Sequence, residues 1–279
     1  MPAPITHYLQ SRRTLNSVGC SDFTPADLDA FSWGAQGPSF LLHAKGKQSL
    51  SLRKFGLRLC RADPASLLND WNKASAQSPD DLIQCSYFLG LVCFYSMERT
   101  SAPFVHAQSL SLHRLHPEYP WHFCRTLVET SLDIIILRYE RAILPTNFPL
   151  PLTAPKDKAV QEKIAGLYSA FSQELYGTAV DKESVLVAEQ DYRRFLRLQT
   201  DSTGLKRLYF ERKERKNGKF RCSCCFRGIM EDGDFDYANI QGGLWLSQDG
   251  QESHCTTFLD LYEDSIEKST CLMKKFPEI

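Results

Sequence analysis

The sequence lacks any apolar run long enough to form a membrane-spanning helix. Its longest apolar stretch is Leu82–Met97. Three polar residues interrupt it, Gln84, Ser86 and Ser96, and it is shorter than the roughly 20 residues that cross a bilayer. Residues 1–16 contain two arginines but no apolar segment behind them, so we do not expect a secretory signal peptide. These absences predict a cytoplasmic protein that has no membrane as a partner.

The sequence also lacks the short motifs of several enzyme classes. It contains no G-x-S-x-G, no Walker loop, no G-x-G-x-x-G and no H-E-x-x-H. His254 and Cys255 do not suggest a thiol nucleophile, because neighbouring side chains in a strand point to opposite faces and cannot form a dyad. The missing motifs do not exclude an enzyme, but they favour a binding or complex-forming role.

The chain has no net charge, yet its charges are segregated. Residues 193–227 hold twelve basic and three acidic residues, a net charge of +9, and residues 228–279 hold three basic and eleven acidic residues, a net charge of −8. This concentrated basic segment beside an acidic tail is the strongest non-random feature of the sequence. The basic residues are Arg193, Arg194, Arg197, Lys206, Arg207, Arg212, Lys213, Arg215, Lys216, Lys219, Arg221 and Arg227.

Helical signals dominate the first 200 residues. Apolar spacing and proline or glycine boundaries predict helices over 82–97, 123–144 and 183–199, and another that ends at Gly177. Asp63-Pro64 predicts a further short helix through Trp71. Four prolines between 145 and 155 indicate a stiff connector, so we divide the chain into regions 1–150, 156–200 and 201–279.

Two segments favour β-structure. Residues 39–60 show two β-prone runs around Lys45-Gly46-Lys47, which predicts an N-terminal hairpin. Residues 205–259 alternate apolar and polar side chains around Asn217-Gly218, Asp232-Gly233 and Asp249-Gly250, and such dipeptides are typical of hairpin turns. The predicted fold class is therefore α+β: a helical body with an N-terminal β-hairpin and a C-terminal antiparallel β-meander.

Ten cysteines are expected to be reduced thiols, because no secretion signal is present. Cys222 and Cys225 have the two-residue gap of a zinc knuckle, and a structural zinc site would be completed by Cys255, or its neighbour His254, with Cys271. No second close pair is present. The alternative is a strand in which Phe220, Cys222, Cys224 and Phe226 share a core face without metal.

A second cluster of candidate metal ligands combines four histidines with Cys124. His113 and His116 are spaced to chelate one ion, whereas two prolines favour a surface loop in which the histidines cap helices and stack on Tyr119 and Trp121. The other two histidines of the cluster are His106 and His122.

The basic segment carries the functional hypothesis. A basic ribbon with interleaved Tyr209 and Phe210 predicts phosphate binding to DNA or RNA, without catalysis, as a subunit of a nucleoprotein complex. The alternative is a protein–protein interaction subunit in which the +9 and −8 segments pair with partner charges or with each other. A third reading treats Asp201, Glu211 and Lys213 as a D-x9-E-x-K pattern of a metal-dependent nuclease.

Overall fold

A computed structural model describes most of the chain: residues 4–19, 23–46, 49–63, 69, 81–177, 180–231, 233–247 and 249–275. The chain divides into two compact units, and each is assembled from three separate segments. Unit 1 comprises Met1–Gln10, Ser96–Leu150 and Leu198–Glu267, and unit 2 comprises Ser11–Tyr95, Pro151–Arg197 and Lys268–Ile279.

Helices form most of the described chain. The α-helices are α1 (Pro4–Val18), α2 (Pro25–Gly34), α3 (Ser49–Arg61), α4 (Leu82–Leu115), α5 (Trp121–Arg141), α6 (Lys158–Tyr176), α7 (Lys182–Gln199), α8 (Leu205–Asn217) and α9 (Phe258–Met273). Short 3₁₀ helices span Gly37–His43, Pro145–Asn147, Leu150–Thr153 and Ser223–Cys225.

The predicted α+β fold class is wrong, because the chain is mainly α. Within the described residues the β-structure is one antiparallel pair, β1 (Trp245–Leu246) and β2 (Ser253–His254). The turn between them contains Asp249-Gly250, and Gly250 has the positive φ of 72° that glycine favours. One element of the predicted meander is therefore a hairpin. Asp232 lies outside the described residues, so the turn predicted at Asp232-Gly233 is not described.

The predicted N-terminal hairpin at 39–60 is also wrong. The 3₁₀ helix Gly37–His43 and helix α3 occupy this segment, and Lys47 of the predicted turn lies outside the described residues. Leu52, Phe55 and Leu59 are buried, and their spacing of three and four residues is that of one helix face. Residues 49–61 alternate between polar and apolar side chains, as a strand does, but their buried residues have the spacing of a helix.

The predicted hairpin around Asn217-Gly218 is replaced by helix α8. Its sequence is rich in Leu, Lys, Arg and Glu, which are strong helix formers, and Arg207 pairs with Glu211 one turn later (2.6 Å). Gly218 adopts φ 61° and ψ 25°, the left-handed conformation that ends many helices. Asn-Gly supplies positive φ both to hairpin turns and to helix C-termini, and here it ends a helix.

The other helix predictions are confirmed. Helices α4 and α7 cover the predicted segments 82–97 and 183–199, although α4 continues to Leu115. Helix α5 ends at Arg141, three residues before the predicted end, and α6 ends at Gly177, which has a positive φ of 56°. Asp81 caps α4, because its carboxylate accepts from the Gln84 N–H (3.2 Å). The helix predicted from Asp63-Pro64 through Trp71 falls almost entirely outside the described residues.

The core of unit 2 is dense and aromatic. A Cβ atom on Gly34 would lie 2.0 Å from the Tyr87 carbonyl oxygen, so the backbones of α2 and α4 touch there. The hydroxyls of Tyr87 and Tyr168 hydrogen-bond to each other at 2.6 Å, and the ring of Phe40 packs edge-on against Tyr168. Such close contacts fix the helix positions of this unit.

The core of unit 1 contains the segments that position the basic helix α8. Phe104 of α4 packs edge-on against Trp245 and also contacts Phe258, with ring centroids 5.4 Å and 5.7 Å apart. Phe210 of α8 stacks on Phe226 with an interplanar angle of 14°. Helix α8 is thereby attached to unit 1 by an aromatic contact on its inner side.

Candidate nucleic-acid interface

Helix α8 has one inward side and one exposed side. The inward side chains recur at helical spacing: Arg207, Phe210, Glu211 and Glu214 are partly or fully buried. Gly204, with φ 73°, precedes the helix, and the Asp201 carboxylate accepts from the Arg207 N–H at 2.9 Å. The start of α8 is therefore fixed, and the buried side chains set its rotation about its own axis.

The carboxylate of Glu214 anchors the segment that follows the helix. It is buried and accepts hydrogen bonds from the backbone N–H groups of Arg221, Cys222 and Ser223, with distances of 2.5–3.3 Å. It also accepts from the Ser223 hydroxyl at 2.5 Å. Four donors on one carboxylate hold residues 221–223 against the end of α8. Sequence reasoning missed this residue, because one glutamate in a basic segment gives no signal of its inward position.

The exposed side of α8 and the following loop form what we call the basic face. Its six cations are all exposed, and none makes an ion pair with a carboxylate in the part of the chain that the structure describes. Arg215 and Lys216 lie in the last helical turn, where the helix dipole favours positive charge. The basic face comprises Arg212, Lys213, Arg215, Lys216, Lys219 and Arg221.

Apolar side chains lie on the same exposed side of α8. Leu205 is 65% exposed, Leu208 50% and Tyr209 60%. The ammonium group of Lys213 lies 5.9 Å from the centre of the Tyr209 ring, within the range of a cation–π contact. The surface thus combines exposed cations with an accessible aromatic ring.

The remaining basic residues of the segment occupy other positions. Arg193, Arg194 and Arg197 lie on α7, in the part of the helix that belongs to unit 2. Arg193 donates to the Pro155 carbonyl, Arg194 pairs with Asp191 (3.3 Å) and Arg197 is exposed. Lys206 donates to the Thr200 carbonyl at 2.6 Å, and Arg207 pairs with Glu211. We therefore leave these five out of the basic face.

Arg227 is buried in a network of unit 1 and is only 5% exposed. Its guanidinium donates to the Asp133 carboxylate at 2.8 Å and 3.1 Å and to the Gln199 side chain at 3.1 Å. Asp133 in turn accepts from the backbone N–H groups of Ile5 and Thr6 at the start of α1. Arg227 is thus committed to a structural ion pair and its charge is not presented to solvent.

The acidic tail does not neutralise the basic segment within the described residues. Glu231 of the tail pairs with Arg138, and Glu252 lies 3.6 Å from the His254 imidazole. Within unit 1, no ion pair joins residues 198–227 to residues 228–267 where the structure describes them. The internal pairing considered for the +9 and −8 segments is therefore not found in this part of the chain.

The three clustered cysteines lie in a 3₁₀ turn, not in a strand. Cys222 is exposed, Cys224 is buried and Cys225 is partly exposed. The neighbouring Cys224 thiol and the guanidinium of Arg227 lower the pKa of Cys225 to about 7, against the effect of burial. The Cys225 thiol, together with burial, raises the pKa of Cys224. Cys225 is thus the most acidic thiol of the three.

The predicted zinc ligands lie in or beside three different elements. Cys255, after β2, and Cys271, in α9, are both exposed. No group of three or more His, Cys, Asp or Glu side chains is arranged to hold a metal ion among the residues that the structure describes. His254 instead stacks on Trp245 with ring centroids 4.5 Å apart. Structural zinc stays a prediction.

The histidine cluster contacts aromatic rings. His106 and His113 of α4 lie against Trp121, and His116 stacks on Tyr119 with an interplanar angle of 18°. His113 also hydrogen-bonds through Nδ1 to the Tyr119 carbonyl oxygen (2.9 Å). His122 is exposed. These contacts match the stacking role considered for the cluster.

The D-x9-E-x-K residues do not share a surface. Asp201 is buried, Glu211 faces inward and pairs with Arg207, and Lys213 is exposed beside Tyr209. On a helix, residues two apart do not face each other, so the E-x-K spacing that works on a strand separates Glu211 from Lys213 here.

Comparisons with known proteins do not extend these observations. The search of protein-family models, curated proteins and solved structures found no significant match to this chain. No described helix is both long enough and apolar enough to cross a membrane.

Proposed function

We propose that the protein binds nucleic acid through the basic face, without catalysing a reaction, as a subunit of a larger nucleoprotein assembly. The observation that carries this proposal is the set of six exposed cations between 212 and 221, none of which pairs with a carboxylate among the described residues. Cations that are not already neutralised displace condensed counterions when they meet phosphates, and this release drives binding.

The rigidity of the basic face supports the proposal. Glu214 and the Phe210–Phe226 stack hold the inward side of α8, so the exposed cations are presented from a fixed helix and a fixed loop. A fixed array loses less conformational freedom on binding than cations on a mobile tail. Lysines and arginines on one helix side can follow a phosphate backbone.

Tyr209 adds a second mode of contact. Its ring is exposed and already lies near Lys213, so a base that stacks on it would meet a cation beside its phosphate. Aromatic side chains bind unpaired bases in this way with little sequence preference. We therefore infer that single-stranded segments of DNA or RNA bind more tightly than duplexes of the same length.

A protein partner is the second candidate. The exposed leucines beside the basic face, Leu205 and Leu208, favour it, because large apolar side chains at the surface are typical of docking sites. An acidic partner with an apolar stripe would match both the cations and the leucines.

Binding of labelled oligonucleotides to a charge-depleted variant tests the proposal. The triple variant Lys213→Ala, Lys216→Ala, Lys219→Ala should lose about a hundredfold in affinity for a single-stranded 20-mer at about 0.1 M salt, if each lysine contacts one phosphate. A matched control removes three exposed lysines from other segments: Lys156→Ala, Lys158→Ala, Lys275→Ala. This control should bind within about threefold of the wild type.

The outcomes separate the candidates. Equal losses of oligonucleotide affinity in both triple variants would show that only the net charge matters. The basic face would then not be the binding site. Two results together would establish the second candidate instead. The wild type would have no affinity for any oligonucleotide, and it would bind a protein partner tightly in a way that Leu205→Ala and Leu208→Ala abolish.

A further inference from the structure

The loop after α8 places a C-x-x-C pair in one helical turn. Cys222 immediately precedes the 3₁₀ helix Ser223–Cys225, and the Cys225 N–H donates to the Cys222 carbonyl oxygen at 3.0 Å. Cys222 is exposed and Cys225 is partly exposed. Both ends of this turn are therefore within reach of a small solute.

Backbone geometry selects which two of the three cysteines can be bridged. Residues three apart in a 3₁₀ helix eclipse each other, and their rise of about 2.0 Å per residue separates the Cα atoms of Cys222 and Cys225 by about 6 Å. Disulfides bridge Cα atoms about 4.4–6.8 Å apart. The Cα atoms of Cys224 and Cys225 are only about 3.8 Å apart across one peptide bond, which is too close without strain. Cys224 is also buried.

The turn is held in place by contacts that do not involve the sulfur atoms. Glu214 binds the N–H groups of Cys222 and Ser223, and the Thr130 hydroxyl donates to the Cys224 carbonyl oxygen at 2.9 Å. The Arg227 guanidinium donates to the Cys225 carbonyl oxygen at 3.3 Å. The two thiols thus sit in a preformed turn whose backbone position does not depend on a bond between the sulfur atoms.

We propose that Cys222 and Cys225 are a redox-active dithiol that a low-molecular-weight disulfide, such as oxidised glutathione, converts to an intrachain disulfide. The exposed Cys222 thiolate attacks one sulfur of the oxidant, forms a mixed disulfide and releases one glutathione thiolate. The Cys225 thiolate then attacks the Cys222 sulfur and releases the second glutathione thiolate. Two protein thiols lose their protons and two electrons, and one oxidised glutathione becomes two reduced glutathione molecules. This inference does not depend on nucleic-acid binding.

Two exposed cysteines elsewhere provide internal controls. Cys255 and Cys271 are exposed like Cys222 but have no cysteine three residues away. After the full-length protein is treated with oxidised glutathione, these two should retain the adduct, because nothing nearby displaces it. Cys222 should carry no adduct.

Tryptic digestion and mass spectrometry after blocking of the remaining thiols test the proposal. Residues 222–227 lie between Arg221 and Arg227 and form one peptide with all three cysteines. In the wild type and in Cys224→Ser this peptide should lose two hydrogens, and in Cys225→Ser glutathione should remain on Cys222. Circular dichroism checks that each variant is folded. If Cys225→Ser does not fold, Cys222→Ser replaces it, and no disulfide should form in that variant.

Three results would overturn the inference. The first is a glutathione adduct retained on Cys222 of the wild type to the same extent as on Cys255. The second is a disulfide that includes Cys224. The third is one equivalent of zinc in the purified protein that protects Cys222 and Cys225 from the oxidant, since a zinc site would assign these thiols to a metal.

Discussion

At the scale of single residues, Glu189 in unit 2 has the least favourable surroundings for a charge. It is 1% exposed, and neither carboxylate oxygen has a hydrogen-bond partner. Burial raises the pKa of Glu189 well above its usual value, and the nearby Trp33 indole and Arg193 guanidinium only partly oppose this. The Trp33 N–H faces the carboxylate without reaching hydrogen-bond geometry. In the folded protein Glu189 therefore keeps its proton to a higher pH than an exposed glutamate does.

The free energy of unfolding should consequently fall as the pH rises. Above the ordinary Glu pKa of 4.5 the unfolded chain releases this proton while the folded protein keeps it, so rising pH favours unfolding until the raised folded pKa is passed. Glu189→Gln removes the ionisation and should stabilise the protein at pH 7 by about 1–3 kcal/mol. Urea denaturation from pH 5 to pH 8 measures the free energy of unfolding of the wild type and of this variant.

The matched control is Glu183→Gln, an exposed glutamate on the same helix, α7. It should change the free energy of unfolding by less than about 0.5 kcal/mol at any of these pH values. A Glu189→Gln variant with the same pH dependence as the wild type would mean that this carboxyl is ionised in the fold.

Asp133 and Arg227 form a buried ion pair in unit 1. Removing one partner leaves the other charge buried, and Asp133 also binds the N–H groups of Ile5 and Thr6. Arg227→Ala should therefore destabilise the protein by about 3–5 kcal/mol in urea denaturation. Arg138→Ala breaks an exposed pair with Glu231 and should cost about 1 kcal/mol or less. Similar losses for the two variants would contradict the assigned role of Arg227.

At the scale of elements, sequence reasoning identified helices that end in clear signals. Gly177, the proline after α5 and the capping aspartate of α4 mark boundaries that a local pattern reveals. The errors came where one pattern serves two structures. Asn217-Gly218 ends a helix as well as a hairpin, and α3 buries Leu52, Phe55 and Leu59 although its polar and apolar residues also alternate.

The candidate site was predictable in part. The exposed cations at 212–221 follow from the charge count alone, since unpaired basic residues in a dense run cannot all be buried. The inward positions of Arg227 and Glu214 were not predictable. The partner of Arg227 is Asp133, which is distant in the sequence. The partners of Glu214 are backbone N–H groups that come within hydrogen-bond distance only once the loop folds.

The anchor of α8 yields a prediction at this scale. Glu214→Ala leaves the N–H groups of Arg221, Cys222 and Ser223 without their acceptor, and should destabilise the protein by about 2–4 kcal/mol because several hydrogen bonds to one carboxylate are lost. Hydrogen exchange should accelerate most at these three amides. Arg212→Ala, on the exposed side of the same helix, should leave their protection unchanged. Unchanged protection in Glu214→Ala would refute the anchoring role.

At the scale of the whole molecule, a chain of zero net charge presents a local array of cations. Neutrality does not prevent phosphate binding, because the Debye length is about 8 Å at physiological salt and screens charges on distant segments. Among the described acidic residues after 227, Glu231 pairs with Arg138 and Glu252 lies beside His254, and none forms an ion pair with the basic face. The segregation seen in the sequence is thus retained in the folded chain.

The salt dependence of binding tests the central claim most directly. The affinity of the wild type for a labelled single-stranded 20-mer, measured by fluorescence anisotropy at several salt concentrations, should fall linearly on a double-logarithmic plot. The variant that lacks Lys213, Lys216 and Lys219 should have a slope smaller by about two, since each lost phosphate contact removes about 0.7. The control variant that lacks Lys156, Lys158 and Lys275 should keep the wild-type slope. A wild type without salt-dependent binding to DNA or RNA, alone and in its native complex, would contradict the account.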